Sequence, residues 1–298
     1  MAIVMFLVKV KVRKPAVVYM LNLAIADTLL VSVLPFYIDY RFSYNNWIFG
    51  EGMCRFVTAA FYCNMYCSVL LMTSISVDRF LAVVYPVQSL SWRTVTRAWL
   101  VCGVIWVISL ASTVPLLITD QSRKFYKLNI TTCHDIQYFA VGIHFYYYYF
   151  ISLISLFFFF PLFITTFCYI GTIRSLSRSI FDRTHKRSRS IRLCMVVLSV
   201  FVLCFGPTNV ISLINYVNLY KDYDHSLYIP YMLSSSISSI NCCLDPLIYY
   251  FASSQSQRHV CSLLRWKKDC RPPVQSLPLN TRSKKPERTR GDLIHPSQ

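Results

Sequence analysis

Charge is what this 298-residue sequence has least of: only 14% of its residues are charged, where a soluble domain carries about 25%. Hydrophobic types make up 55%, and the mean hydropathy is +0.45. A water-soluble globular enzyme is thereby excluded, and a chain that crosses a membrane several times is indicated. Acidic residues are the scarcer sign, 13 against 30 Lys and Arg, for a formal charge of +17 at pH 7. Catalytic signatures are missing too. There is no nucleophile–base pair, no nucleotide loop and no metalloprotease motif, so the chain is not expected to be an enzyme. No spacing suits a metal centre, since Cys242 and Cys243 are adjacent inside an apolar run. Residues 15–120 and 140–250 share no repeat, which argues against the paired halves of a secondary transporter.

What is present is a series of apolar runs. The stretch 54–86, CRFVTAAFYCNMYCSVLLMTSISVDRFLAVVYP, holds no charge from Val57 to Val77 and ends on Asp78-Arg79. It exceeds the roughly 20 residues that cross a bilayer core, as a tilted central helix would. Around it the expected spans are 16–38, 98–118, 139–173, 193–216 and 227–251. Residues 1–8 are too short to span and read as the inner end of a first helix whose outer part is absent. Pro35, Pro115, Pro161, Pro207 and Pro246 fall within spans; Pro161 should kink its helix. After the seventh span, Val260, Leu263 and Leu264 have the spacing of a short helix lying on the membrane surface. The tail beyond it is Pro-, Ser- and Lys/Arg-rich and should be disordered. The expected organisation is a seven-span domain over 1–251, a surface helix over 252–266 and a tail over 267–298.

Charge placement orients these spans. Arg41, Arg55, Arg123, Lys124, Lys127 and Lys221 lie in alternate loops, offset there by Asp39, Glu51, Asp120, Asp135, Asp222 and Asp224. Apart from Arg79, the other basic residues lie in the remaining loops and the tail, a positive-inside pattern. The tail and the Arg79 end are thus expected in the cytoplasm. The basic excess suits anionic membrane lipid and argues against nucleic acid, because it flanks spans rather than forming one face. Of the twelve cysteines, most sit in apolar runs and act as small hydrophobes. Cys54 and Cys133 fall on the oxidising outer side. Asn129-Ile130-Thr131 is a glycosylation sequon there. Asp27 and Asp245 are carboxylates at mid-membrane depth, which marks a functional site. Two such groups near each other do not both ionise unpaired: one takes a proton, or a cation binds between them.

LAIAD at 23–27, Cys54, DRF at 78–80, Trp106, Pro161, CFGP at 204–207 and DPLIY at 245–249 together resemble the rhodopsin-like (class A) G-protein-coupled receptors. The stretches KPAVVYML, CRFVTAAFYCNMY, DRFLAVVYPVQSLSWRT, LNITTCHD, CFGPTN and CCLDPLIYYFASS narrow the resemblance to protease-activated receptors, especially the thrombin-receptor type. They cover residues 14–254 but not the tail. The implied fold is an all-α seven-transmembrane helix bundle, here with its first helix N-terminally truncated, in the plasma membrane. Phe80 stands where the family usually has tyrosine, Phe205 where it has tryptophan, and Asp245 where most members outside this branch have asparagine.

The resemblance carries specific expectations. It implies a disulfide between Cys54 and Cys133. It implies an allosteric sodium ion at Asp27 and Asp245, with Ser68 and Asn241 as neutral ligands; a shared proton is the alternative. Asp78, Arg79, Tyr169, Phe205, Pro207 and Tyr249 match the activation switch, and Arg79 and Val87 the G-protein contacts. Tyr62, His134, Asp135, Tyr216, Tyr228 and Tyr231 match the agonist site. Implied partners are heterotrimeric G proteins, arrestin, a tethered or free agonist peptide, and an activating serine protease such as thrombin. The match begins in mid-helix, which suggests an incomplete gene model, with a non-signalling truncated receptor form as the alternative. On that reading the chain as written should not respond to thrombin, whereas free peptide should still bind weakly.

Overall fold

Five helices among the described residues are long and apolar enough to cross a membrane, and the central expectation, a long helix with the Asp78-Arg79 pair near its end, holds for the second of them. The computed structural model describes residues 14–126, 129–134, 143–178, 184–222 and 228–252. The expected first-helix remnant, Asp135, and the surface helix and tail beyond residue 252 lie outside the described residues.

Helix α1, Pro15–Phe42, is the second span. Proline at its first position supplies a preset φ and lacks only a donor the helix end could not use. Helix α2, Gly50–Val84, has 35 residues and so runs roughly 52 Å, well beyond the ~30 Å hydrocarbon core. Its middle is buried on every side: Cys67, Ser68, Leu71, Met72 and Ile75 are all 0% exposed. α1, α4 and α6 pack around it. The one-turn helix α3, Ser89–Trp92, follows, then α4, Val95–Ile118, whose N-cap Thr94 accepts from the Arg97 amide at 3.3 Å. Leu100, Val104 and Val107 on α4 are exposed, the expected state of a face that meets lipid instead of water.

The outer loop after α4 is not irregular. Ser122–Phe125 (β1) and Ile130–Cys133 (β2) pair antiparallel, with Ser122 opposite Cys133. The β-branched run Ile130-Thr131-Thr132 favours a strand, and Asn129 takes the left-handed turn conformation at φ 50°, which asparagine tolerates. The fifth span is α5, Ile143–Ile154, a π-helical turn at Ser155–Phe159, and α6, Phe160–Arg178. The sixth is α7, Thr184–Val200, a π turn at Phe201–Phe205, and α8, Gly206–Asp222. Both π turns come directly before a proline turn. Pro161 and Pro207 cannot bond the carbonyls four residues back, and a widened turn relieves the ring clash there. Helix α7 also begins earlier than the expected start at 193, reaching into the basic segment.

The seventh span is two helices rather than one: α9, Tyr228–Ser239, and α10, Asn241–Ala252, broken at Ile240. Around the break the amides of Ile240 and Cys243 bond three residues back, to Ile237 and Ile240. Just before it, the hydroxyls of Ser238 and Ser239 donate to the Ser235 carbonyl. Serines that compete for main-chain carbonyls loosen a helical turn, and the hydrophobic pattern carries no sign of that.

Candidate functional site

The end of the bundle that carries the hairpin, the expected outer end, is stapled twice. Cys54 in the first turns of α2 is joined to Cys133 at the end of β2, with Cα atoms 5.7 Å apart. Glu51, one turn earlier, accepts from the amides of Gln121 and Ser122 at 2.7 and 2.8 Å and from Arg55 Nε at 2.7 Å. Arg55 also pairs with Asp120. The charges that merely balanced in the sequence thus clamp the start of the hairpin onto the central helix. The end of α1 holds the other strand: the Cys133 amide donates to the Tyr40 hydroxyl at 3.3 Å, and the Trp47 amide to the Thr131 carbonyl at 2.6 Å.

Beneath the hairpin lies a cavity of about 50 Å³, with Leu30, Val33, Val57 and Phe61 on its apolar walls and Tyr62, His134 and Tyr231 on its polar side. These three are linked in a chain whose direction is determined. The Gln121 amide nitrogen donates to the Thr119 carbonyl and hydroxyl at 3.2 and 2.7 Å, so its oxygen is the acceptor facing His134 Nδ1 at 3.0 Å. Nδ1 therefore carries the proton. His134 Nε2 accepts from the Tyr62 hydroxyl at 2.9 Å, and Tyr62 accepts from Tyr231 at 2.9 Å. Helices α2 and α9 are in this way tied to the loop. Phe150 borders Tyr62 and stacks on Tyr216 with centroids 4.6 Å apart. Tyr228 opens α9, but its side chain, like Asp135, lies outside the described residues. Gln121 was not foreseen; a glutamine in a polar loop has no distinguishing spacing.

Burial first, and then the nearby Arg41 charge, push the His134 pKa down from 6.5 to about 3. Between those values the unfolded loop binds a proton that the folded one refuses. Stability from this site is therefore complete above pH 6.5 and is lost as pH falls toward 3. Acidifying from pH 7.5 to 5 should lower the thermal midpoint of the purified protein, by on the order of 1–2 kcal/mol of unfolding free energy. His134→Gln should flatten that dependence. An equal acid response in the variant would assign it to other groups.

At mid-depth, Asp27, Ser68, Asn241 and Asp245 are all buried. Asp245 interacts with Asp27, and Cys242 does so as well. Among the described residues, the Asp245 carboxylate oxygens, the Ser68 hydroxyl and the amide nitrogen of Asn241 have no hydrogen-bond partner outside the Asp27–Asp245 pair. The side-chain amide nitrogen of Asn64, one turn before Ser68, is likewise buried and has no partner among the described residues. Orphaned buried oxygens of this kind require an explanation, and a hard cation with oxygen ligands fits them.

At the inner end Asp78 serves two guanidiniums. Arg93, just before α4, takes both carboxylate oxygens, Nε to Oδ1 at 2.8 Å and Nη2 to Oδ2 at 3.0 Å. Arg79 reaches Oδ2 at 3.1 Å. The expected neighbour pair exists, but the fork geometry belongs to Arg93, which the sequence pattern did not single out. Tyr169 is half-buried on α6 and makes no hydrogen bond to Arg79 among the described residues; the Tyr249 side chain lies outside them. Phe80 packs so closely on Gly171 that a β-carbon there would stand 2.5 Å from its ring. Phe205 is buried and meets Phe201 edge-on at 6.2 Å, just before Pro207. Val87, in the turn after Pro86, is 79% exposed.

Membrane-length helices around one long central helix, a hairpin tied to its outer end and an aspartate–arginine cluster at its inner end define the class, and the family comparison agrees. The family model "7 transmembrane receptor (rhodopsin family)" matches residues 1–249. The chain belongs to this family of multi-pass membrane receptors. It is similar to Proteinase-activated receptor 1 of Xenopus laevis, 60% identical over 272 residues, which is 91% of this chain and 64% of the relative. The same receptor of Homo sapiens is 54% identical over 273 residues, with the same shares covered. A purinoceptor of Gallus gallus is 39% identical over 262 residues, 87% of this chain and 73% of the relative. The chain thus spans about 64% of the length of the proteinase-activated receptors it matches.

Proposed function

We propose that this chain forms the membrane domain of a protease-activated receptor of the thrombin-receptor type, turning the binding of a protease-unmasked peptide into G-protein activation. The observation that carries the reading is the Tyr231–Tyr62–His134 chain in a match that is 60% identical to Proteinase-activated receptor 1. The cavity beside it, about 50 Å³, is far below the roughly 300–1,000 Å³ of an occupied ligand site. An agonist peptide must therefore part Tyr62 from Tyr231 to enter, which moves α9 against α2. Asp135, Tyr216 and Tyr228 complete this outer site. The movement reaches Phe205 and the Pro207 turn, and Arg79 leaves Asp78 to meet a heterotrimeric G protein beside Val87. Tyr169 and Tyr249 hold the released arrangement. Arrestin uses the same inner mouth. The Arg79 end and the tail face the cytoplasm at the plasma membrane, and Asn129 carries glycan outside.

The test is nucleotide exchange on a G protein, driven by the free agonist peptide, in membranes where an outer tag confirms surface display. Tyr62→Phe keeps the ring but removes the hydroxyl chain that the entering peptide has to break, and should lower the peptide concentration needed by about tenfold. That is one to two hydrogen bonds at about 1 kcal/mol each. Surface-displayed protein that never drives exchange would overturn the receptor reading, and an unchanged potency in Tyr62→Phe would overturn the site.

Sodium is the proposed occupant of the mid-membrane carboxylates, holding Asp27 and Asp245 with Ser68 and Asn241 in the agonist-free arrangement. A ligand that binds one state lowers affinity for whatever binds the other. Replacing sodium by N-methylglucamine should therefore strengthen peptide binding in the parent protein. Asp27→Asn and Asp245→Asn should each remove that difference. If both variants keep it, the pair shares a proton and holds no metal.

A further inference from the structure

A cleft of about 320 Å³ opens at the inner end of the bundle, between α1, α2 and α4. Val77, Leu81 and Val101 give it apolar lining, and Trp92, Arg93 and Arg97 line it as well. Trp92 is 55% exposed and Val101 39%, so protein does not close the opening. Its charge is unbalanced. The one carboxylate of the lining is Asp78, which Arg93 and Arg79 already share. Arg97 is exposed, donates to the Ser91 carbonyl at 3.2 Å, and has no carboxylate partner among the described residues. Lys14, beside the lining residue Pro15, is exposed as well.

We propose that this cleft binds an anionic phospholipid of the cytoplasmic leaflet, with its phosphate on Arg97 and one acyl chain along Val77 and Val101. A guanidinium offers phosphate a planar fork of donors, and tryptophan settles at the depth where headgroup meets chain. A free anion would leave the apolar wall uncovered. A neutral lipid would leave the Arg97 charge unmatched. The site rests on the orientation proposed above, in which the Arg79 end faces the cytoplasm.

The test uses the full chain in detergent micelles, titrated with dioctanoyl phosphatidylserine or, in a parallel arm, dioctanoyl phosphatidylcholine. Retained lipid is counted by native mass spectrometry. The parent should hold phosphatidylserine in clear excess over phosphatidylcholine. Arg97→Gln should reduce that retention by about fivefold, the effect of one basic group at an anionic lipid. Arg97→Lys keeps the charge but loses the planar fork, and should retain an amount between the parent and Arg97→Gln. Arg123→Gln removes an equal charge from the outer hairpin and should change nothing. Equal retention of the two lipids, or equal losses in Arg97→Gln and Arg123→Gln, would overturn the site. Retention needs neither agonist nor G protein, so it stands or falls apart from signalling. Protease access to a tag after Gln298 in sealed cells tests the orientation by itself.

Discussion

Arg79→Ala is expected to abolish agonist-driven nucleotide exchange while leaving peptide binding at the surface intact. Arg79 is the weaker-held of the two guanidiniums on Asp78, with one contact at 3.1 Å against the two at 2.8 and 3.0 Å made by Arg93. Its Nε is buried and has no hydrogen-bond partner among the described residues. The charge best placed to leave is thus the one proposed to meet the G protein. Losing a buried, hydrogen-bonded charge at such an interface costs about 2–5 kcal/mol, so exchange should fall by roughly 30-fold or more. Arg93→Ala provides the contrast. It removes the stronger partner of Asp78 without removing the group offered to the G protein, so exchange should survive. Measured side by side on equally displayed protein, full exchange in Arg79→Ala would rule out this switch.

Cys133→Ser should remove most surface display, and Cys54→Ser should match it. The bond closes a stretch of 79 residues, and a native disulfide of that kind typically contributes about 2–4 kcal/mol. More is lost than chain entropy, because Cys133 immediately precedes His134. With the link cut, β2 keeps only its pairing with β1 and the Tyr40 and Trp47 hydrogen bonds, so His134 is held less firmly against Tyr62 and the roof of the cavity loosens. The Glu51 clamp on Gln121 and Ser122 holds only the first strand, so it should not compensate. Flow cytometry with an outer tag and peptide-driven exchange measure the two consequences. Parent levels of both in either single variant would mean that the link is dispensable.

Much of this architecture was legible in one dimension. Burial in lipid needs long uncharged runs, so the spans around Asp27, Trp106 and Pro161 stand out by composition. The paired cysteines and the Asp78-Arg79 end stood out because their flanking motifs resemble a known family. Other features left no trace. The hairpin at Ser122–Cys133 is one of them, since four-residue strands are too short for a periodic pattern. The break at Ile240 depends on serine hydroxyls choosing main-chain carbonyls, a choice that hydropathy does not record.

Residue order alone was enough to indicate a multi-pass membrane protein with acids inside its apolar runs and basic residues in alternate loops, because solvent preference and charge placement are properties of single residues and short runs. The receptor family was legible through its motifs. Which groups meet is a property of the folded bundle. Arg93 captures both oxygens of Asp78 from 15 positions away. Gln121 sets the proton on His134, and Tyr62 of the central helix joins Tyr231, 169 positions later. Such pairings depend on helix rotation and depth to within an ångström or so. Those are set by the packing of all the helices together, and no local run of residues encodes them.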